Sequence, residues 1–107
     1  MVGSIYLARI FFTDGQSYKI RPILIVQKNS FGDFIYIPFT TNSNNKNSMK
    51  FSNKFLKSGD FKKDSYLILD KTCTIQPKLL EKEIAIIKDD VMNQVLNKYC
   101  LFLKTPK

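Results

Sequence analysis

The chain has 107 residues, with 17 basic against 9 acidic side chains for a formal charge of +8, and it contains no histidine. That length suits one small domain, residues 1–107, with a core but not two. The charge points to an anionic partner, and the missing histidine removes the commonest general base and every His-ligated metal site.

The basic excess is uneven: residues 1–80 carry twelve Lys/Arg against five Asp/Glu, whereas residues 81–107 carry five against four. Six lysines fall within residues 46–63, opposed there only by Asp60. A basic surface on the first three-quarters of the chain suits nucleic acid, although lysine-rich surfaces also serve solubility. Cys73 and Cys100 form neither a metal-binding spacing nor a disulfide framework, so they read as reduced thiols. No signal peptide or membrane span is predicted, since the apolar run 5–12 is short and broken by Arg9. A reducing cytoplasm is the expected compartment.

Residues 5–12 predict a first strand, and Asp14-Gly15-Gln16-Ser17 a loop of turn formers. Residues 23–27, almost all apolar, predict a central strand. After a turn at 29–33, Phe34, Tyr36 and Pro38 alternate with Ile35, Ile37 and Phe39, a strand apolar on both faces. The Asn/Ser-rich stretch 42–48 predicts a loop open to ligand contact. Residues 49–51 suggest a short strand, and 54–63 a basic loop or turn. Residues 66–69 and 72–75 predict two strands or one bent strand ended by Pro77. Residues 84–87 are ambiguous between strand and helix. A helix is predicted from Asp89 or Asp90 to Leu103, with acidic residues at its positive end. Its apolar face is expected to be Met92, Val95, Leu96, Tyr99 and Leu103, for core or dimer packing. The whole reads as mainly β with a C-terminal helix, an α+β arrangement in which a barrel-like sheet packs on the helix.

One segment, Lys19-Ile20-Arg21-Pro22-Ile23-Leu24-Ile25-Val26, places an arginine at the mouth of a buried strand. Proline after it fixes φ and donates no hydrogen bond, which predicts a strand start with Arg21 at its rim. A planar, permanently charged guanidinium suits a phosphate; the plainer reading is a solvated cation.

Four stretches taken together are more specific: Gly3-Ser4-Ile5-Tyr6-Leu7, the Arg21-Pro22 strand, Ile37-Pro38-Phe39-Thr40-Thr41, and the run from Asp64-Ser65-Tyr66 through Asp70-Lys71-Thr72-Cys73 to Ile75. In these the chain resembles the MazF/PemK family of toxin endoribonucleases of type II toxin–antitoxin systems. The resemblance implies a compact SH3-like β-barrel of the MazF/PemK/CcdB kind and a homodimer. It also implies metal-independent cleavage of single-stranded RNA that inhibits translation and growth, and a cognate antitoxin whose flexible, acidic segment covers the groove. No cofactor is implied. The family's catalytic arginine matches Arg21, and its catalytic hydroxyl residue matches Thr40. A variable acidic position matches Asp70.

Residue chemistry allows the same reaction. The RNA 2′-hydroxyl can serve as nucleophile, Arg21 can stabilise charge growing on the phosphoryl oxygens, and Thr40 can hydrogen-bond the phosphate or relay a proton. The proton acceptor stays open among Asp70, Asp14, Lys19, Lys71 and Arg21 itself. Gln16 and Thr41 are further candidates for substrate contact, and the loops 14–20 and 42–48 are the expected base readers.

The chain departs from the family pattern at four places. Ser4 replaces an aspartate, Gln16 and Ser17 occupy a short loop that often holds an acid, Lys71 replaces a glutamine and Cys73 a basic residue. Two rival readings use the same residues differently. A non-catalytic RNA-binding barrel would stack bases on Tyr18, Phe31, Phe34 or Tyr36. A same-fold toxin that poisons a protein target such as DNA gyrase would act through residues 99–107. The acidic residues Glu81, Glu83, Asp89 and Asp90 read as helix-start and solvated groups rather than as a metal site.

Overall fold

β-branched and aromatic runs separated by turn residues give, among the described residues, eight antiparallel strands and one helix. The computed structural model describes residues 2–42, 44, 46–61 and 65–106. Ser43 and Asn45 of the polar loop, Lys62 and Lys63 of the basic segment, and Asp64 at the head of the fourth motif lie outside the described residues. The strands are β1 (Ser4–Phe11), β2 (Tyr18–Lys28), β3 (Phe34–Thr40), β4 (Ser48–Phe51), β5 (Leu56–Gly59), β6 (Ser65–Ile68), β7 (Cys73–Ile75) and β8 (Leu80–Ile87). Helix α1 (Asp89–Lys104) follows. The sheet runs β4-β6-β3-β2-β1-β8-β5, with β7 paired to β3.

β2 is central, and alternate residues of β2 and β3 feed two cores. Leu24, Ile37, Phe39, Phe51, Leu67 and Val95 belong to one, which includes the inner face of α1. Ile23, Ile25, Phe34 and Tyr36 belong to the other. Burying each such aliphatic or aromatic side chain contributes about 1.5–3 kcal/mol. Phe34 and Tyr36, candidate base-stacking rings, are therefore packing residues, while Tyr18 and Phe31 are exposed.

Two boundaries differ from expectation, and two readings left open are resolved. β2 begins at Tyr18, so Pro22 is its fifth residue rather than its first. Residues 18–22 form a two-stranded arm with β1, pairing Tyr18 with Phe11 and Pro22 with Leu7, while the β2–β3 ladder starts only at Ile23–Pro38. A proline fits where the adjoining ladder has ended, because no N–H is needed there. The basic segment contains a 3-10 turn (Asn53–Phe55) and the edge strand β5, paired to β8. The stretch 84–87 is the end of β8, whose first half, Leu80-Glu81-Lys82-Glu83, is too exposed to show apolar alternation. Residues 66–69 and 72–75 give two separate strands, both paired to β3.

In α1 the residues reaching the core are Val91, Met92 and Val95. Leu96 and Leu103, expected on that face, are 40% and 60% exposed, because burial of Val91 turns the stripe toward the other flank. Tyr99 is half-buried, its hydroxyl 3.0 Å from Thr72 Oγ1.

The β5–β8 contact depends on Gly59. Its φ is +87°, and a Cβ there would lie 2.3 Å from the Ile84 carbonyl oxygen. Gly59→Ala is therefore expected to cost about 2–5 kcal/mol, combining left-handed strain with overpacking. Urea unfolding should show the midpoint falling at unchanged slope; an unshifted midpoint would mean that β5 contributes nothing to stability.

Candidate active site

β2 and β3 separate at one point, and the residues at that point are the ones of chemical interest. Their ladder holds Ile25–Tyr36, Leu24–Ile37 and Ile23–Pro38 in register. Two residues further, the same register would set Arg21 opposite Thr40. The β2–β3 ladder stops at Ile23–Pro38 instead, while on the other edge of β3 Phe39 pairs with Leu67 and Thr40 with Tyr66 of β6. The gap opened between the strands has Arg21 on one lip and Thr40 on the other.

Two clefts adjoin this gap, and Arg21, Phe39 and Thr40 line both. The first, of about 440 Å³, has apolar walls from Leu7, Ile20, Pro22, Phe39, Phe61 and Ile84, and polar groups from Arg21, Thr40, Thr41, Asp60 and Ser65. The second, of about 470 Å³, runs beneath the β1–β2 arm, with Phe11 and Phe12 on one side and Tyr36, Lys71 and Cys73 on the other.

The chain has only two arginines, and they differ sharply. Arg9 is occupied: Nη2 donates to the Lys78 carbonyl at 2.7 Å, and the guanidinium lies 6.0 Å from the Tyr18 ring centre. Its Nε sits 3.2 Å from Glu81 Oε1, an ion pair without hydrogen-bond alignment. Arg21 is exposed and has no hydrogen bond or ion pair among the described residues. Thr40 Oγ1 accepts the Asn42 N–H at 3.1 Å, which leaves its hydroxyl proton free to donate into the gap. The pair thus offers a guanidinium fork and a hydroxyl donor to one anion.

The other expected residues divide. Thr41 lines the first cleft and Lys71 the second. Asp70 lines neither; its Oδ2 accepts from Asn47 Nδ2 at 2.9 Å. Asp14 and Gln16 lie in the β1–β2 turn and line neither cleft. Asp14 Oδ1 accepts the Gln16 and Ser17 backbone N–H groups at 2.8 and 2.9 Å. Those bonds, Ser17's first, hold the Asp14 carboxyl below its usual range, which suits a turn anchor better than a proton acceptor. Lys19 projects over the Phe12 ring, 5.9 Å from its centre, and lines neither cleft. Tyr36 is no base either: burial foremost, then the neighbouring Cys73, pushes its phenol up to about 12.

Sequence reasoning missed Asp60 as a cleft residue. The only signal was its isolation as the one acid among the lysines of residues 46–63. Its neighbour Phe61 is fixed by ring contacts to Phe39 (4.7 Å) and Phe51 (5.8 Å).

Residues 1–103 match the model of the PemK-like, MazF-like toxins of type II toxin–antitoxin systems. The chain belongs to this family. No curated protein matches it in sequence. Among solved structures, a mycobacterial endoribonuclease in complex with its cognate antitoxin is similar at TM-score 0.71, with 17% identity over 100% of this chain and 97% of that one. Mycobacterium tuberculosis toxin MazF-mt6 is similar at TM-score 0.70, with 17% identity over 97% and 99%. MazF from Deinococcus radiodurans follows at 0.68, with 13% identity over 97% and 94%. At such identities the likeness is one of fold: a mostly β MazF-type half-barrel with one C-terminal helix.

The departure at the first PemK-like motif has a local account. Ser4 is 2% exposed, and its Oγ donates to Glu83 Oε2 at 2.8 Å. An aspartate there would set a second carboxylate against Glu83 in a buried position. Ser4→Asp is expected to cost about 3 kcal/mol at neutral pH, and adding Glu83→Gln should recover most of it. Equal destabilisation with and without Glu83→Gln, in urea unfolding of the single and double variants, would show that charge is not the cause.

Proposed function

We propose that this MazF/PemK-family protein is a toxin endoribonuclease that cleaves single-stranded RNA through the substrate's own 2′-hydroxyl, without a metal ion, in the gap between β2 and β3. The observation that carries the reading is Arg21, a cation unpaired among the described residues beside the free hydroxyl donor of Thr40, while the chain's other arginine is engaged.

In this mechanism Arg21 and Thr40 hold the non-bridging oxygens of the scissile phosphate. The 2′-oxygen attacks phosphorus as its proton passes to water, and the bond to the 5′-oxygen breaks. The products are a 2′,3′-cyclic phosphate and a 5′-hydroxyl that takes its proton from water, and on the way negative charge accumulates on the oxygens already facing the guanidinium. A donor fixed before the reaction stabilises that charge at no reorganisation cost, and removing one such donor typically lowers the rate by about 10²–10³. Lys71 adds a second cation on the far side, and Thr41 a second hydroxyl on the near side. The carboxylates of Asp14 and Asp70 are committed to backbone and Asn47 and take no part.

The net charge of +8 supports binding to RNA, and equally to an acidic antitoxin segment lying in the same gap. A mycobacterial relative of like fold is a complex with its cognate antitoxin. The exposed Leu96, Leu101 and Leu103 support pairing of two copies through α1.

The test is cleavage of single-stranded RNA by the purified protein in excess chelator. Arg21→Ala and Thr40→Ala should each reduce the rate at least about 100-fold with circular dichroism unchanged. A 2′-deoxy substitution at the cut should abolish cleavage. A requirement for magnesium would overturn the metal-free mechanism. Tight binding with no cutting would favour a non-catalytic RNA-binding barrel, and an undiminished Arg21→Ala variant would remove the proposed centre.

A further inference from the structure

We infer that the cleft carrying Asp60 is a nucleobase subsite, in which Asp60 selects a base that presents an exocyclic amine and disfavours uracil. The inference rests on the reading of Arg21 and Thr40 as the phosphate site, since it concerns the space beside them.

Asp60 is exposed, and its carboxylate is tethered by one side-chain contact. Asn53 Nδ2 donates to its Oδ1 at 3.0 Å, and Asn53 Oδ1 accepts the Phe61 N–H at 3.0 Å, so one amide brackets both residues. The Asp60 N–H donates to the Ile84 carbonyl at 3.3 Å, just after the turn that only Gly59 can make. Phe61 packs on Phe39 at 4.7 Å, and Phe39 directly precedes Thr40. The carboxylate wall and the phosphate lip of the cleft are therefore joined through one aromatic contact. The second oxygen, Oδ2, makes no hydrogen bond or ion pair among the described residues. Of the described lysines nearby, Lys57 pairs with Asp89 at 3.1 Å, and Lys54 lies over the Phe55 ring.

A fixed carboxylate beside a phosphate site repels the RNA backbone, so it can face only an uncharged part of the ligand. The apolar walls of this cleft fit a base slipped out of its stack, and about 440 Å³ is room enough for one. A carboxylate is an acceptor only. Cytosine offers it N4–H, and adenine and guanine offer their amines in the same way. Uracil turns carbonyl oxygens toward it on either side of its single N–H and is rejected. One well-placed pair of this kind discriminates by about tenfold.

The probes are fluorescent 2′-O-methyl hexacytidylate and hexauridylate, near-isosteric and uncleavable, titrated by anisotropy with the intact protein. Wild type should bind the cytidine oligomer about tenfold more tightly. Asp60→Asn, with nearly unchanged shape, should bring the two within about twofold, while tightening both through the lost negative charge. Equal wild-type affinities, or a ratio that survives Asp60→Asn, would overturn the inference. So would loss of RNA cleavage by Asp60→Asn at an unchanged ratio, which would place Asp60 in the chemistry. The phosphate reading fails separately. If Arg21→Ala still cuts RNA while the cytidine preference responds to Asp60→Asn, the phosphate site is wrong and the base subsite stands.

Discussion

Everything of chemical interest in this molecule depends on where the β2–β3 ladder ends. β3 is paired to β2 only up to Pro38, while its other edge is paired to β7 at Phe34–Tyr36 and to β6 at Phe39 and Thr40. From Pro22 back to Tyr18, β2 is paired to β1 alone, and the β2-facing edge of β3 at Phe39 and Thr40 has no strand beside it among the described residues. Pro22 falls where the β2–β3 ladder stops, and its missing N–H suits that position. The result is a wedge-shaped opening in an otherwise continuous sheet. An arginine there is exposed yet mounted on a rigid arm, the condition for a cation to act without first rearranging.

The opening is kept in shape by aromatic packing beneath it. Phe39 touches Phe51 at 5.2 Å and Phe61 at 4.7 Å, and Phe51 touches Phe55 at 5.5 Å. Edge-to-face pairs of this kind each contribute about 0.5–1.5 kcal/mol beyond their burial. More important here is where they attach. Phe39 adjoins Thr40 and Phe61 adjoins Asp60, so the cluster couples two segments twenty residues apart in sequence at the rim of one cleft. Gly59 makes this possible by letting β5 approach β8 closely before the chain turns up into Phe61.

How much of this could be read in the amino-acid order follows from the physics of each part. The apolar strands and the terminal helix were legible because burial on one or both faces leaves a period in the sequence. Arg21 and Thr40 stood out through a family resemblance whose motifs frame them. The arm at residues 18–22 was not legible: Tyr18, Lys19, Ile20 and Arg21 are exposed, so no alternation marks them as strand. β5 and the first half of β8 escaped for the same reason. Asp60 was hidden differently. Its position comes from the β5–β8 pairing and from Asn53, contacts that no local pattern encodes.

The distribution of carboxylates explains why so basic a chain has so few acids at the site. Asp14 anchors a turn, Asp70 holds Asn47, Glu81 pairs with Arg9, Glu83 accepts from Ser4, and Asp89 pairs with Lys57. Each is consumed by the fold, and none of them lines the gap between β2 and β3. Among the described residues Arg21 is thereby left without a carboxylate partner, which would have to be displaced before phosphate could enter. Asp60 departs from this pattern. It lines the cleft beside Arg21 and makes no ion pair with that residue. Asn53, a neutral amide, holds one of its oxygens in place and leaves the negative charge uncancelled. A lysine in the place of Asn53 would neutralise the carboxylate and blunt its preference for amine-bearing bases. An amide fixes its direction and leaves it free to choose.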